Sequence, residues 1–160
     1  MPRILVVCTA NICRSPVGEA LLRDRLRKRG LNSWAVTSAG TWAQAGLGAA
    51  RYSMELLAEL GLDLSTHRSR VVEQADLDEA DLVLCMEVGH TEALQVEFPE
   101  NGAKVHLISE MAGMSHGIAD PFGRSIEMYR TMIAALTEII DSGLDQIIAV
   151  AEENAGKRGK

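Results

Sequence analysis

Residues Cys8-Thr9-Ala10-Asn11-Ile12-Cys13-Arg14-Ser15 gather a thiol, a permanently charged guanidinium and a hydroxyl into one short stretch. The apolar run Ile4-Leu5-Val6-Val7 precedes them, and Pro16 opens a helix-like segment behind them. A buried strand of this kind delivers Cys8 to the carboxyl edge of a sheet. There the next helix turns its N-terminal N–H groups and the positive end of its dipole into the loop. An anion belongs in such a place. The chemistry implied is cleavage of a phosphate ester: backbone N–H groups of Thr9 to Ser15 cradle the phosphoryl oxygens, Arg14 grips two of them with its planar fork, and Cys8 attacks phosphorus as the thiolate. Ser15 is placed to hydrogen-bond Cys8. A lone cysteine at a strand end is ordinarily a small buried hydrophobe, but strand, Cys, loop, Arg-Ser, Pro and helix in this order form a constellation with a chemical purpose.

Expelling an alkoxide or phenolate from phosphorus is easier when a carboxylic acid protonates it, and the same group can then activate the water that attacks the phospho-enzyme. Asp120, in Asp120-Pro121-Phe122-Gly123, is the candidate. Alone, Asp-Pro-x-Gly is a turn sequence. Beside the Cys8 loop it supplies the acid that the chemistry lacks.

These residues need a sheet edge to meet on, and the chain alternates strand and helix patterns in the way that builds a parallel sheet covered on both faces. Arg3 to Val7, Val36 to Ser38, Leu82 to Met86 and Lys104 to Ile108 read as strands. Pro16 to Arg29, Tyr52 to Leu60 and Gly89 to Phe98 read as helices. Ile126, Tyr129, Ile133, Leu136 and Ile140 recur at helical spacing within Ser125 to Ile140, and Leu144 to Ala155 continues helically. Ser109 to Ala119 has no definite period and reads as a loop that brings Asp120 over the site, while Gly156 to Lys160 reads as a frayed tail.

With 160 residues, 47% of them hydrophobic, the chain has the length of one domain with a proper core. A net charge of −6 with dispersed basic residues argues against a nucleic-acid partner. No apolar run approaches a membrane span and no signal peptide is evident, so a cytoplasmic protein without a membrane partner is expected. Cys8, Cys13 and Cys85 are too few and too oddly placed for a disulfide framework, which suits a reducing compartment. Cys85 reads as core. His67, His90, His106 and His116 match no compact ligand motif and read as ordinary surface or loop histidines, so no metal and no cofactor are expected.

Cys8 to Pro16 near the N-terminus and Asp120-Pro121 far downstream resemble the low-molecular-weight protein tyrosine phosphatases. Ser38-Ala39-Gly40-Thr41, His67-Arg68-Ser69-Arg70 and Ala80-Asp81-Leu82-Val83-Leu84-Cys85-Met86 resemble further segments of that family, in matching order, with Ser69 where Ala is usual. The resemblance implies a single α/β domain over residues 1–155, three layers α/β/α around a four-stranded parallel sheet. It implies a metal-independent protein phosphatase that passes through a cysteinyl-phosphate, with Cys8, Arg14 and Asp120 catalytic. It implies that Asn11, Ser15, Ser38 and His67 hold the loop in shape and that Cys13 traps oxidised Cys8 as a disulfide. The partners implied are a phosphorylated protein and inorganic phosphate or a similar oxyanion.

Ile12, Trp42 and Phe122 are candidate walls of a slot deep enough for phosphotyrosine. The family has a protein-arginine phosphatase branch, and Ser115-His116-Gly117 with Asp120-Pro121-Phe122-Gly123 resembles it. That branch carries Thr where this chain has Ile12, which favours tyrosine. Arsenate reductases share the fold but need a relay pair of cysteines downstream, where this chain has only Cys85. Ala10 stands where the family has Gly; if that position requires φ > 0, the methyl costs about 1 kcal/mol and activity is modest.

Overall fold

The computed structural model describes residues 1–158. Its four strands, β1 (Arg3–Cys8), β2 (Ala35–Gly40), β3 (Leu82–Cys85) and β4 (Val105–Leu107), form one parallel sheet in the order β2-β1-β3-β4. The helices are α1 (Arg14–Lys28), α2 (Arg51–Glu59), α3 (Gln74–Glu79), α4 (Val88–Glu97) and α5 (Ile126–Arg158). Alternation along β1 sorts its side chains between two layers. Ile4, Val6 and Cys8 join an apolar layer with Leu21 of α1, Leu57 of α2 and Leu136 and Ile140 of α5. Leu5 and Val7 pack instead with Leu77 of α3 and Leu94 of α4. Both faces of the sheet are thus covered, and for this reason the central strands read as unbroken apolar runs.

The strand order fixes where a ligand can sit. From β1 the chain crosses to β2 on one side, and its next strand, β3, pairs with β1 on the other side. Helices leaving in opposite directions open a crevice beyond the carboxyl end of β1. Cys8 is the last residue of β1, in register with Gly40 at the end of β2.

The strands and four of the helices lie where the sequence pattern places them, within a few residues. α3 is an addition. Its six residues bury only Leu77, too little for a periodic signal, and a reciprocal capping box between Glu73 and Asp76 sets its start. The chain end also differs from expectation, because Gly156 to Arg158 are helical and not frayed. The Arg158 guanidinium binds the buried Asp81 carboxylate, Nε to Oδ1 at 2.7 Å and Nη2 to Oδ2 at 3.1 Å, and so ties the last turn of α5 to the sheet's amino edge. The remainder of the expected tail, residues 159–160, lies outside the described residues. Although α5 runs for 33 residues, no described helix is long and apolar enough to cross a membrane.

Candidate active site

Between β1 and α1 the backbone is held by its carbonyls. Thr41 N–H donates to Cys8 O at 2.9 Å, Trp42 N–H to Thr9 O at 3.0 Å and Ala50 N–H to Ile12 O at 2.8 Å. His67 Nε2 donates to Asn11 O at 2.7 Å and Ser53 Oγ to Cys13 O at 3.1 Å. With these five carbonyls turned to the surrounding segments, the loop's N–H groups are what remain for an anion. Gly40 makes the close approach possible: a Cβ there would lie 2.3 Å from Thr9 O and 3.1 Å from Asn11 N.

Asn11 is the only described non-glycine residue with positive φ, at 58°. The expected cost at Ala10 is therefore corrected, because the left-handed turn falls one residue later. There Asn is among the residues that tolerate it best. Its side chain is fully used as well. Asn11 Nδ2 donates to Ser15 Oγ at 2.7 Å and to Ser38 Oγ at 3.0 Å, and Oδ1 accepts from Arg70 N–H at 3.1 Å. Because Ser15 Oγ accepts from Asn11, its own proton is available to Cys8 Sγ, 3.0 Å away. Asn11, Ser15, Ser38 and His67 thus form one connected network beneath the thiol.

Arg14 is buried, with its side chain 2% exposed. Its Nη1 donates to the Glu87 carboxylate and, at 2.8 Å, to Ile118 O. Nη2 lies 3.6 Å from Asp120 Oδ2. Nε is a buried donor with no partner among the described residues. A guanidinium fixed by Nη1 with Nε unpaired presents one edge of its fork, which is the shape that grips two oxygens of a tetrahedral anion. Ile118 also donates its N–H to Met86 O at 2.8 Å, so the segment leading to Asp120 is anchored at the end of β3. Asp120 Oδ1 accepts from Phe122 N–H at 3.1 Å, which leaves Oδ2 as the oxygen toward Arg14.

Cys8, Thr9, Ala10, Ile12, Cys13, Arg14, Trp42, Asp120 and Phe122 line one cleft of about 350 Å³, together with Gln44 and Leu47. Trp42 and Phe122 are 86% and 65% exposed, so they form its rim, while Ile12 sits half-buried deeper in. Cys13 Sγ lies 3.4 Å from the Tyr129 hydroxyl, and burial pushes its thiol up to about 11. Burial likewise raises the Tyr129 and Cys85 groups. Cys85 is core, as its strand pattern indicates.

His90, expected at the surface or in a loop, is 5% exposed on the first turn of α4, with Nε2 2.8 Å from Thr9 Oγ1. Glu87, which precedes α4, was missed altogether. The only sequence signal for either was their position directly after a buried strand, at the start of a helix at the sheet's carboxyl edge.

The model of the family described as low molecular weight phosphotyrosine protein phosphatase matches residues 3–156. Among curated relatives, a protein-arginine-phosphatase of Geobacillus stearothermophilus is 38% identical over 140 residues, 87% of this chain and 91% of the relative. A probable low molecular weight protein-tyrosine-phosphatase, EpsP, of Ralstonia nicotianae is 32% identical over 147 residues, 92% of this chain and 97% of the relative. Among solved structures, the low molecular weight protein tyrosine phosphatase from T. tengcongensis superposes with a TM-score of 0.86 at 35% identity, over 91% of this chain and 99% of that one.

Proposed function

Because the chain belongs to the low molecular weight phosphotyrosine protein phosphatase family, we propose that it hydrolyses phosphotyrosine in proteins, and small aryl phosphates, through a cysteinyl-phosphate on Cys8. Cys8 Sγ attacks phosphorus in line with the departing oxygen. Arg14 and the loop N–H groups hold the remaining oxygens as charge redistributes. Asp120 Oδ2 gives its proton to the leaving phenolate, then takes one from the water that attacks the phosphocysteine and releases inorganic phosphate. The observation that carries this reading is the unpartnered buried Arg14 Nε in the cleft that also holds Cys8 and Asp120.

The apolar part of the cleft lining supports an aryl substrate: Ile12, Leu47, Trp42 and Phe122 offer surface to a ring. A phosphoarginine substrate is the second reading, favoured by the relative of that name and by the Asp120-Pro121-Phe122-Gly123 segment. Hydrolysis of phosphotyrosine and phosphoarginine peptides side by side, by wild type, Cys8→Ser, Asp120→Asn and Ile12→Thr, separates the two. The tyrosine reading expects wild type to prefer phosphotyrosine and Ile12→Thr to shift toward phosphoarginine. Wild-type preference for phosphoarginine would reverse the assignment and leave the Cys8 chemistry standing.

A further inference from the structure

The first turn of α4 holds a chain of hydrogen bonds of fixed direction that reaches into the loop. Glu87 N–H donates to His90 Nδ1 at 3.1 Å, so that nitrogen is the acceptor and a neutral ring carries its proton on Nε2. Burial, with the Arg14 charge adding to it, pushes His90 down to about 4, so the ring is neutral at ordinary pH. Nε2–H then donates to Thr9 Oγ1 at 2.8 Å. Arg14 Nη2 directs a second, longer hydrogen bond to the same oxygen at 3.4 Å. A hydroxyl oxygen has two acceptor sites and one proton. With His90 and Arg14 taking both acceptor sites, the Thr9 proton is left for whatever else Thr9 faces, and Thr9 lines the cleft beside Cys8 and Arg14.

We propose that His90 is a positioning residue that orients the Thr9 hydroxyl as a donor to a phosphoryl oxygen in the cleft. The inference rests on the phosphatase reading above. The Thr9 O–H supplements the backbone N–H groups, and His90 acts only through it. Thr9 is thereby a binding group of the site, and His90 never touches the substrate.

The test is a double-mutant cycle on hydrolysis of p-nitrophenyl phosphate and its inhibition by inorganic phosphate, with thermal melting as a check on folding. Wild-type hydrolysis inhibited by phosphate tests the underlying reading by itself; without it that reading fails whatever the variants do. Thr9→Val is expected to lower kcat/KM and weaken phosphate inhibition about tenfold to a hundredfold, the range of one hydrogen bond to a charged group. Thr9→Ser should stay near wild type. His90→Asn keeps an acceptor for Glu87 N–H but is too short to reach Thr9. It should lower kcat/KM severalfold when Thr9 is present and change nothing further in the Thr9→Val background. An equal loss in both backgrounds would mean a merely structural role and would overturn the proposal. Nitrogen NMR of wild type gives an independent reading that needs no variant to fold: a proton on Nε2 is expected, and a proton on Nδ1 overturns the proposal.

Discussion

At Asn11 the backbone enters the left-handed region, and that single turn decides which way the loop's polar groups face. Its side-chain amide then fixes Ser15, and Ser15 fixes the hydrogen bond to Cys8. Cys13 lies in the same cleft with its thiol held protonated by burial. Peroxide converts a cysteine thiolate to a sulfenic acid, and a neighbouring thiol condenses with it to give a disulfide and water. Cys13→Ser should therefore leave turnover nearly unchanged while making peroxide inactivation hard to reverse with a thiol reductant. Equal recovery in both proteins would remove Cys13 from that role. His90 makes a prediction about pH. Its folded value of about 4 lies below the ordinary 6.5, so between those values the unfolded chain binds more protons than the folded one. Its contribution is fully present above pH 6.5 and is lost as pH falls toward 4. His90→Asn should flatten the fall of melting temperature across that window; an unchanged slope would show that His90 does not carry the linkage. The thiol, guanidinium and carboxylate were legible in the sequence because Cys8 and Arg14 share one contiguous loop and Asp120 sits in a recognisable turn. Glu87 and His90 were not, because they act across 73 and 81 positions of chain, and a contact of that separation leaves no local pattern.

Two glycines show how elements set the site and the scaffold separately. In α5, a Cβ at Gly143 would lie 2.8 Å from the backbone of Met111, so the helix lies directly on the turn that follows β4. Alanine there would gain about 1 kcal/mol in helix propensity but meet fixed backbone, and overpacking costs about 1–3 kcal/mol. Gly143→Ala should thus lower the melting temperature with little change in KM. At the end of β2, Gly40→Ala would drive a methyl into Thr9 O and displace the loop itself. Its loss should fall on kcat/KM and on phosphate inhibition more heavily than on stability. The opposite pattern, a stable and active Gly40→Ala protein, would show that the loop is not built against β2. The strands and long helices were readable because burial on both sheet faces and helical spacing repeat over many residues. α3 escaped because its six residues carry one buried apolar side chain.

For the whole molecule, the sheet order is what turns sequence-distant residues into one site. The reversal around β1 opens the crevice, α1 starts at Arg14 beneath it, and the segment anchored through Ile118 carries Asp120 to its edge. A parallel sheet covered on both faces was legible from strand and helix alternation, but the strand order was not, because alternation does not say on which side of β1 each later strand pairs. The chain end was not, since Arg158 holds the last turn of α5 through Asp81, a partner 77 positions away. The protein carries a net charge of −6, while its cleft is built around one buried guanidinium. The central claim is that phosphate passes through Cys8. Asp120→Asn mixed rapidly with p-nitrophenyl phosphate tests it most directly, because nitrophenolate departs without a proton whereas the second step still needs the missing base. Acid quench and mass spectrometry should find phosphate on Cys8 as nitrophenolate appears in a burst. Nitrophenolate release with Cys8 unmodified, at any time sampled, would contradict the account.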